Sequence, residues 1–244
     1  MDGIAPQDLV LFSAATLAAS LIAGLAGFAF GLVAAAIWLH VLTPLQTTTL
    51  IVAFGLVVQG LSVWRLRRAL RFDRLWPFLA GGAMGVPIGA ELLRWADPRH
   101  IRIGVGALLI LFSLYSWFRP KLAVPTAGGR AADGSVGFLG GVLGGTTGLG
   151  GILATVWCNL RNWPKDEQRA VFQTVAVAIF AVTVFWLGGT GSVSAVTMHL
   201  FLIGLPWVLV GTWLGLRLYG RLGDARFRQA VLILLLASGA VLVV

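Results

Sequence analysis

The chain has 244 residues, of which 58% are hydrophobic and 11% are charged. About a quarter of the residues of a soluble domain are charged, so this composition excludes an ordinary water-soluble fold. Residues 9–64 and 170–216 contain no Asp, Glu, Lys or Arg at all. The formal net charge of +9 fits basic connectors between membrane spans better than a nucleic-acid-binding surface.

Motifs for several classes of chemistry are missing from the sequence. Cys158 is the single cysteine, which excludes an internal disulfide, and the three histidines are too widely spaced for a zinc site. No GxxxxGK[ST] loop, HExxH motif or GxSxG motif is present. We therefore expect no enzyme, metal or cofactor. Residues 1–8 carry two Asp and no basic residue, so we expect the first apolar run to be retained rather than cleaved as a signal peptide.

Apolar runs follow one another along the chain, separated by short arginine-rich connectors. A hydrocarbon layer of about 30 Å takes about 20 helical residues. The runs are residues 9–42, 45–64, 75–93, 103–118, 135–160, 170–188, 193–216 and 227–244. The longest connector is polar and rich in Gly, Pro and Ala. We therefore predict a first transmembrane repeat at residues 1–118, a cytoplasmic linker at 119–134 and a second transmembrane repeat at 135–244.

Spaced motifs in the two halves indicate an internal duplication. GLAGFAFG at residues 24–31 is followed 117 residues later by GVLGGTTG at 141–148, and Pro44 is followed 120 residues later by Pro164. GVPIG at 85–89 is followed 126 residues later by GTWLG at 211–215. Duplication of this kind recurs in secondary transporters.

The distribution of positive charge favours a re-entrant hairpin at the start of each half. If all eight runs cross the membrane, 8 basic residues face 10 across it, which is no bias. If residues 9–42 and 135–160 instead turn back at their glycines, 15 of the 18 Lys and Arg residues share one side, as the positive-inside rule requires. Each half then has three crossings, and this odd number inverts the second half. We expect an all-α polytopic membrane protein of two inverted repeats, each a broken helical hairpin plus three transmembrane helices, with long kinked crossing helices as the alternative.

The glycine segments and the helices after them resemble the TauE/SafE family of sulfite exporters, also called the sulfonate uptake permease family. The resemblance rests on GLAGFAFG with its apolar helix and Pro44, and on GGTTGLGGILATVWCNLRNWP at residues 144–164. It covers residues 18–244. The first copy departs from the family in GFAFG, where three glycines are usual, and in TPLQTTT, where Ala-Val-Ala-Thr is usual. The resemblance implies a transporter of small anions such as sulfite or organosulfonates in the bacterial inner membrane.

Backbone N–H groups are expected to bind the anion, because residues 9–64 and 133–160 contain no Lys or Arg. Helices that resume after each glycine cluster would point their N-termini, with about half a positive charge each, at the ligand. Buried polar residues in the apolar runs are further candidates, and the resemblance adds Thr49. The candidate substrate-binding residues are Gly27, Gly31, Thr49, Gln59, Gly144, Gly145, Thr146, Thr147, Gly148, Arg169 and Gln173.

Other interpretations of these residues remain open. Glycines three or four residues apart can simply allow helices to pack closely, and we favour this for Gly85, Gly89, Gly211 and Gly215. Arg169 can guide an anion toward Gln173 or extend to lipid headgroups.

The function that we expect is anion transport by alternating access, with export favoured. The interior-negative potential favours exit of each negative charge by ~2.3 kcal/mol per 100 mV. The alternatives are a non-transporting subunit that docks a partner through GxxxG surfaces, and a passive anion channel. The expected partners are the anionic substrate and the lipid bilayer, not nucleic acid, and a homo-oligomer is left open.

Cysteines introduced within residues 40–47 test the hairpin topology. In a background with Cys158→Ala, a membrane-impermeant thiol reagent should label them from outside the cell, because this segment lies opposite the basic connectors. Control cysteines within residues 65–74 should react from the cytoplasm. Labelling of residues 40–47 from the cytoplasm would contradict the hairpin topology.

Overall fold

The computed structural model describes residues 6–26, 29–66, 72–118, 129–161, 165–218 and 224–243. Every regular element in these ranges is a helix, which confirms the all-α prediction. The helices are α1 Pro6–Ala26, α2 Phe30–Trp38, α3 Pro44–Leu66, α4 Phe72–Trp95, α5 Pro98–Phe118, α6 Gly129–Thr147, α7 Gly151–Leu160, α8 Lys165–Gly189, α9 Ala195–Leu218 and α10 Asp224–Val243.

Four segments in the described ranges are long and apolar enough to cross a membrane, judged by length and composition. They are Pro6–Leu25, Pro98–Phe118, Ala170–Gly189 and Ala195–Leu218. Shorter apolar stretches lie at Pro44–Gly60 and Leu232–Val243. These helices are those of a multi-pass membrane protein. Three of the four segments correspond to predicted crossings, whereas the first lies in the predicted first hairpin.

Both glycine clusters interrupt a helix, and the chain reverses there. In the first case the ring of Phe12 in α1 stacks on that of Trp38 in α2, with centroids 5.1 Å apart. In the second case a Cβ added to Gly150 would lie 2.8 Å from the carbonyl oxygen of Gly140 and 3.1 Å from Cα of Gly144. We call these segments hairpin 1 (α1 and α2) and hairpin 2 (α6 and α7).

The two helical arms of each hairpin differ in length, whereas the sequence suggested two half-helices. Helix α1 has 21 residues and α2 has 9, while α6 has 19 and α7 has 10. Helix α6 begins at Gly129, inside the segment predicted as a linker, and Asp133 in its first turns is 7% exposed. The two hairpins are therefore closer in length than the sequence suggested.

A first compact unit contains α1, α2, α5, α9, α10 and α3 as far as Phe54. Helix α1 packs on α9 with the backbones almost in contact: a Cβ on Gly24 would lie 2.7 Å from the carbonyl oxygen of Thr212. A Cβ on Gly106 of α5 would lie 2.8 Å from the carbonyl oxygen of Gly239 in α10. Small residues therefore bring both helix pairs together.

A second compact unit contains α4, α6, α7, α8 and the part of α3 from Gly55 onward. Here α4 packs on α6, because Cβ atoms on Gly85 and Gly89 would overlap the carbonyl oxygens of Phe138 and Val142. At the end of this helix pair, the guanidinium of Arg74 donates to the carboxylate of Glu167 in α8.

Motifs that correspond in sequence make corresponding contacts. GVPIG of α4 packs on the long arm of hairpin 2, and GTWLG of α9 packs on the long arm of hairpin 1. The packing role predicted for Gly85, Gly89, Gly211 and Gly215 is confirmed. Each compact unit thus joins a hairpin from one predicted half to a helix from the other. The inverted orientation of the halves stays a prediction.

Replacing Gly85 by alanine tests the packing of α4 on α6. The added methyl group meets the Phe138 carbonyl, so the substitution should lower the free energy of unfolding by about 1–3 kcal/mol. Gly104→Ala is the matched control, because no heavy atom lies within 4 Å of its added Cβ. Apparent melting temperatures of the purified proteins in detergent measure both changes. Equal melting temperatures for the two variants would contradict the close packing.

Candidate anion-binding site

A residue with left-handed backbone conformation lies at each hairpin break. Ala29 has φ 80° and Gly148 has φ 74°, and the two are 119 residues apart. Glycine adopts this conformation readily, whereas a residue with a Cβ is destabilised by roughly 1–2 kcal/mol. Ala29 is the sole non-glycine residue with positive φ in the described ranges. Strain of this kind concentrates at functional sites.

The N-terminus of α2 is a potential anion site in hairpin 1. Its N-cap residue is Ala29, and no side chain caps this end. The amide of Val33 donates to the carbonyl of Ala29, which closes the first turn. Gly31 lies in that turn and is partly exposed, while Gly27 lies outside the described residues. The amides before Val33 are the backbone donors that a bound anion can use.

The hydroxyls of Thr146 and Thr147, two of the predicted site residues at the break of hairpin 2, donate to backbone carbonyls. Oγ1 of Thr146 lies 2.7 Å from the Val142 carbonyl and 3.1 Å from that of Gly89. Oγ1 of Thr147 donates to the Leu143 carbonyl at 2.7 Å. Both residues are nearly buried. The hydroxyl hydrogens are thus directed at the helices, and the amide of Leu149 after the break donates to Oγ1 of Thr147 at 3.2 Å.

The glycines just before the break of hairpin 2 bring helices into contact. A Cβ on Gly144 would overlap the side chain of Ile179 in α8, and one on Gly145 would lie 2.5 Å from the Val86 carbonyl of α4. These two positions therefore have a packing role, the alternative left open by the sequence. Gly148 differs from them, because its left-handed conformation forms the break itself.

The remaining predicted site residues lie along α3 and α8. Thr49 is 7% exposed in the first unit, and its hydroxyl donates to the Leu45 carbonyl at 2.7 Å. Gln59 is partly exposed in the second unit. Gln173 is 1% exposed in α8 of the same unit. Arg169 belongs to α8, but its side chain lies outside the described residues. Gln59, Arg169, Gln173 and the hairpin 2 glycines and threonines belong to the second unit, whereas Gly31 and Thr49 belong to the first.

A buried polar cluster joins the two arms of hairpin 2. The indole Nε1 of Trp157 donates to Oδ1 of Asp133 at 2.7 Å, and the guanidinium of Arg161 lies 3.1 Å from the same oxygen. The guanidinium also lies over the Trp157 ring, 5.1 Å from its centroid. This cluster fixes the end of α7 against the start of α6.

The corresponding tryptophan of hairpin 1 has apolar surroundings. Trp38 comes nine residues after Ala29, as Trp157 comes nine after Gly148. Its ring is fully buried against Phe12, Phe30 and Phe54. Neither tryptophan was among the predicted site residues. The two tryptophans are 119 residues apart, a separation between the 117 residues of the glycine motifs and the 120 of the prolines. This spacing could have identified them as equivalent positions of the two repeats.

Exchanging the residue types at the two breaks tests their backbone conformation. Ala29→Gly should remove left-handed strain and stabilise the protein by about 0.5–1 kcal/mol after the larger entropy of the unfolded glycine is subtracted. Gly148→Ala should destabilise it by a similar amount. The expected shifts in apparent melting temperature are about 2 °C in opposite directions. A lower melting temperature for Ala29→Gly would contradict the assigned conformation.

Comparison with known proteins covers nearly the whole chain. The family model described as Sulfite exporter TauE/SafE matches residues 11–242, a range that includes both hairpin breaks and most of all ten helices. Searches with the chain matched no curated protein and no solved structure. The family is one of membrane transporters, and its description points to sulfite-type anions. The resemblance noted in the sequence is thereby confirmed: the chain belongs to the sulfite exporter TauE/SafE family.

Proposed function

We propose that this protein is a secondary transporter that moves small oxyanions, such as sulfite or organosulfonates, across the bacterial inner membrane by alternating access, with export favoured. The observation that carries the proposal is the pair of helical hairpins broken at left-handed residues in apolar segments. The uncapped N-terminus of α2 supplies backbone donors without a charged side chain.

Neutral donors suit a transported anion. A fixed Lys or Arg in a low-dielectric site would form a strong ion pair that slows release. Backbone amides and the helix dipole stabilise the anion by a smaller amount and need no counter-ion of their own. The interior-negative potential by itself favours export, by ~2.3 kcal/mol per negative charge and per 100 mV.

The repeated contacts of α1 with α9 and of α4 with α6 support a two-repeat mechanism. Transporters with internal repeats alternate access by moving repeat-derived bundles about the substrate site. Here each hairpin packs through glycines on a helix from the other predicted half. We propose that each such pair moves as one body, because a methyl-sized shift would bring its backbones into collision.

The docking-subunit alternative loses support from the same contacts. Gly85, Gly89, Gly211 and Gly215 would form the GxxxG surfaces, but they already pack on helices of this chain. A partner could reach them only by displacing those helices. A passive channel differs from a transporter in that its flux does not saturate with anion concentration.

Anion flux into liposomes tests the proposal. The purified protein should give sulfite flux that saturates with concentration and is accelerated by sulfite on the opposite side. A panel of methanesulfonate, taurine, sulfate, acetate and chloride defines the preferred anion. Gly148→Ala should reduce flux at least tenfold while the protein still elutes as a folded species, and Gly104→Ala should leave it unchanged.

Three results separate the alternatives. Saturable, exchange-stimulated flux supports the transporter. Non-saturating ohmic current identifies a channel. Absence of flux for every anion, together with altered assembly of Gly148→Ala, identifies a non-transporting subunit and contradicts the proposal.

A further inference from the structure

The two equivalent tryptophans differ in what their indole N–H groups bind. In hairpin 2, Nε1 of Trp157 donates to a carboxylate oxygen of Asp133 at 2.7 Å. In hairpin 1, Trp38 is fully buried, and its Nε1 has no hydrogen-bond partner among the residues that the structure describes. A buried donor without an acceptor is costly and rare, so it calls for an explanation.

The side chain opposite each tryptophan accounts for the difference. Asp133 supplies the acceptor on the long arm of hairpin 2, whereas Phe12 stacks on Trp38 on the long arm of hairpin 1. No Asp or Glu occurs in residues 9–64. Apart from Asp8 in the first turn of α1, hairpin 1 and α3 as far as Trp64 therefore contain no carboxylate.

A second buried donor lies on the other side of the same short loop. Thr47, in the first turn of α3, is 2% exposed, and its Oγ1 also has no partner within the described part of the chain. Most other buried threonines donate to the carbonyl four residues earlier, as Thr49 does to Leu45. Thr43 and Gln46 cap the start of α3 reciprocally, so Thr47 is not needed as a cap.

We infer that Trp38 Nε1 and Thr47 Oγ1 are donors to the transported oxyanion, which supplies in hairpin 1 the oxygen that Asp133 supplies in hairpin 2. This inference rests on the proposed function and assigns residues to it. Both donors are neutral and lie in the first unit. Indole and hydroxyl groups donate hydrogen bonds to sulfite or sulfonate oxygens. They carry no positive charge that would slow release of the anion.

Direct binding measurements test the inference. Calorimetric titration of the detergent-purified protein with sulfite and with methanesulfonate gives affinities that do not depend on transport. Trp38→Phe should weaken binding about 10- to 100-fold, the effect of one hydrogen bond to an anion. Thr47→Val should weaken it about tenfold, whereas Thr47→Ser keeps the hydroxyl and should retain the wild-type affinity.

Two tryptophan controls accompany these variants. Trp207→Phe makes the same chemical change at a residue that is 41% exposed, and it should leave the affinity unchanged. Trp157→Phe removes a donor that Asp133 uses in the absence of any anion. It should therefore lower the melting temperature of the anion-free protein more than Trp38→Phe does, since Trp38 Nε1 has no partner to lose within the described residues.

The results of these experiments distinguish failure of the binding inference from failure of the transport proposal. Unchanged affinity in both Trp38→Phe and Thr47→Val, or absence of sulfite and methanesulfonate binding by the wild-type protein, overturns this inference. Saturable flux would still support the transporter. Conversely, binding that depends on Trp38 and Thr47 without flux in liposomes supports the inference and overturns the transport mechanism.

Discussion

The absence of charge from residues 9–64 is the constraint on which the functional design of hairpin 1 depends. An anion that enters a low-dielectric region needs hydrogen bonds to replace its water shell. Without Lys or Arg, these must come from backbone amides, indoles and hydroxyls. A helix uses its own amides internally, except in its first turn, so an interrupted helix creates donors where a continuous one has none. In the proposed transporter, the break at Ala29 and the start of α2, which no described side chain caps, would meet this requirement.

Glycine contacts make such interruptions stable. The long arms α1 and α6 each lie against a helix so closely that a single Cβ would meet backbone atoms, at Gly24 and at Gly85. Close backbone approach maximises dispersion contacts, which drive helix association where lipid removes the hydrophobic gain. The helices α9 and α4 come from the opposite predicted halves. The breaks at Ala29 and Gly148 can then depart from helical structure, because helices from outside the hairpin hold the long arms in place.

Much of this arrangement could be predicted from the sequence, because apolar runs and glycine spacing report directly on helices and their contacts. The all-α fold, the breaks at both glycine clusters and the packing of Gly211 and Gly215 were of this kind. The partner of a threonine hydroxyl could not be predicted from the sequence. The hydroxyl of Thr146 can donate to a ligand or to a carbonyl of its own helix, and the structure shows that it donates to the Val142 carbonyl. The burial of Asp133 could not be predicted either, since its pairing with Trp157 joins residues 24 apart across a break.

The contrast between Trp38 and Trp157 shows how duplicated hairpins can acquire different roles. Where a carboxylate, an indole and the guanidinium of Arg161 are all present, the polar groups satisfy one another and fix the arms. In hairpin 1, Phe12 stacks on the tryptophan and the arms are held by aromatic contact instead, while the indole N–H has no partner among the described residues. Stacking contains no ion pair, so the arrival or departure of an anion does not require one to break. Under the proposed function, hairpin 1 would therefore remain folded while its donors gain and lose a ligand. The polar cluster of hairpin 2 would have to break its own ion pair to do the same.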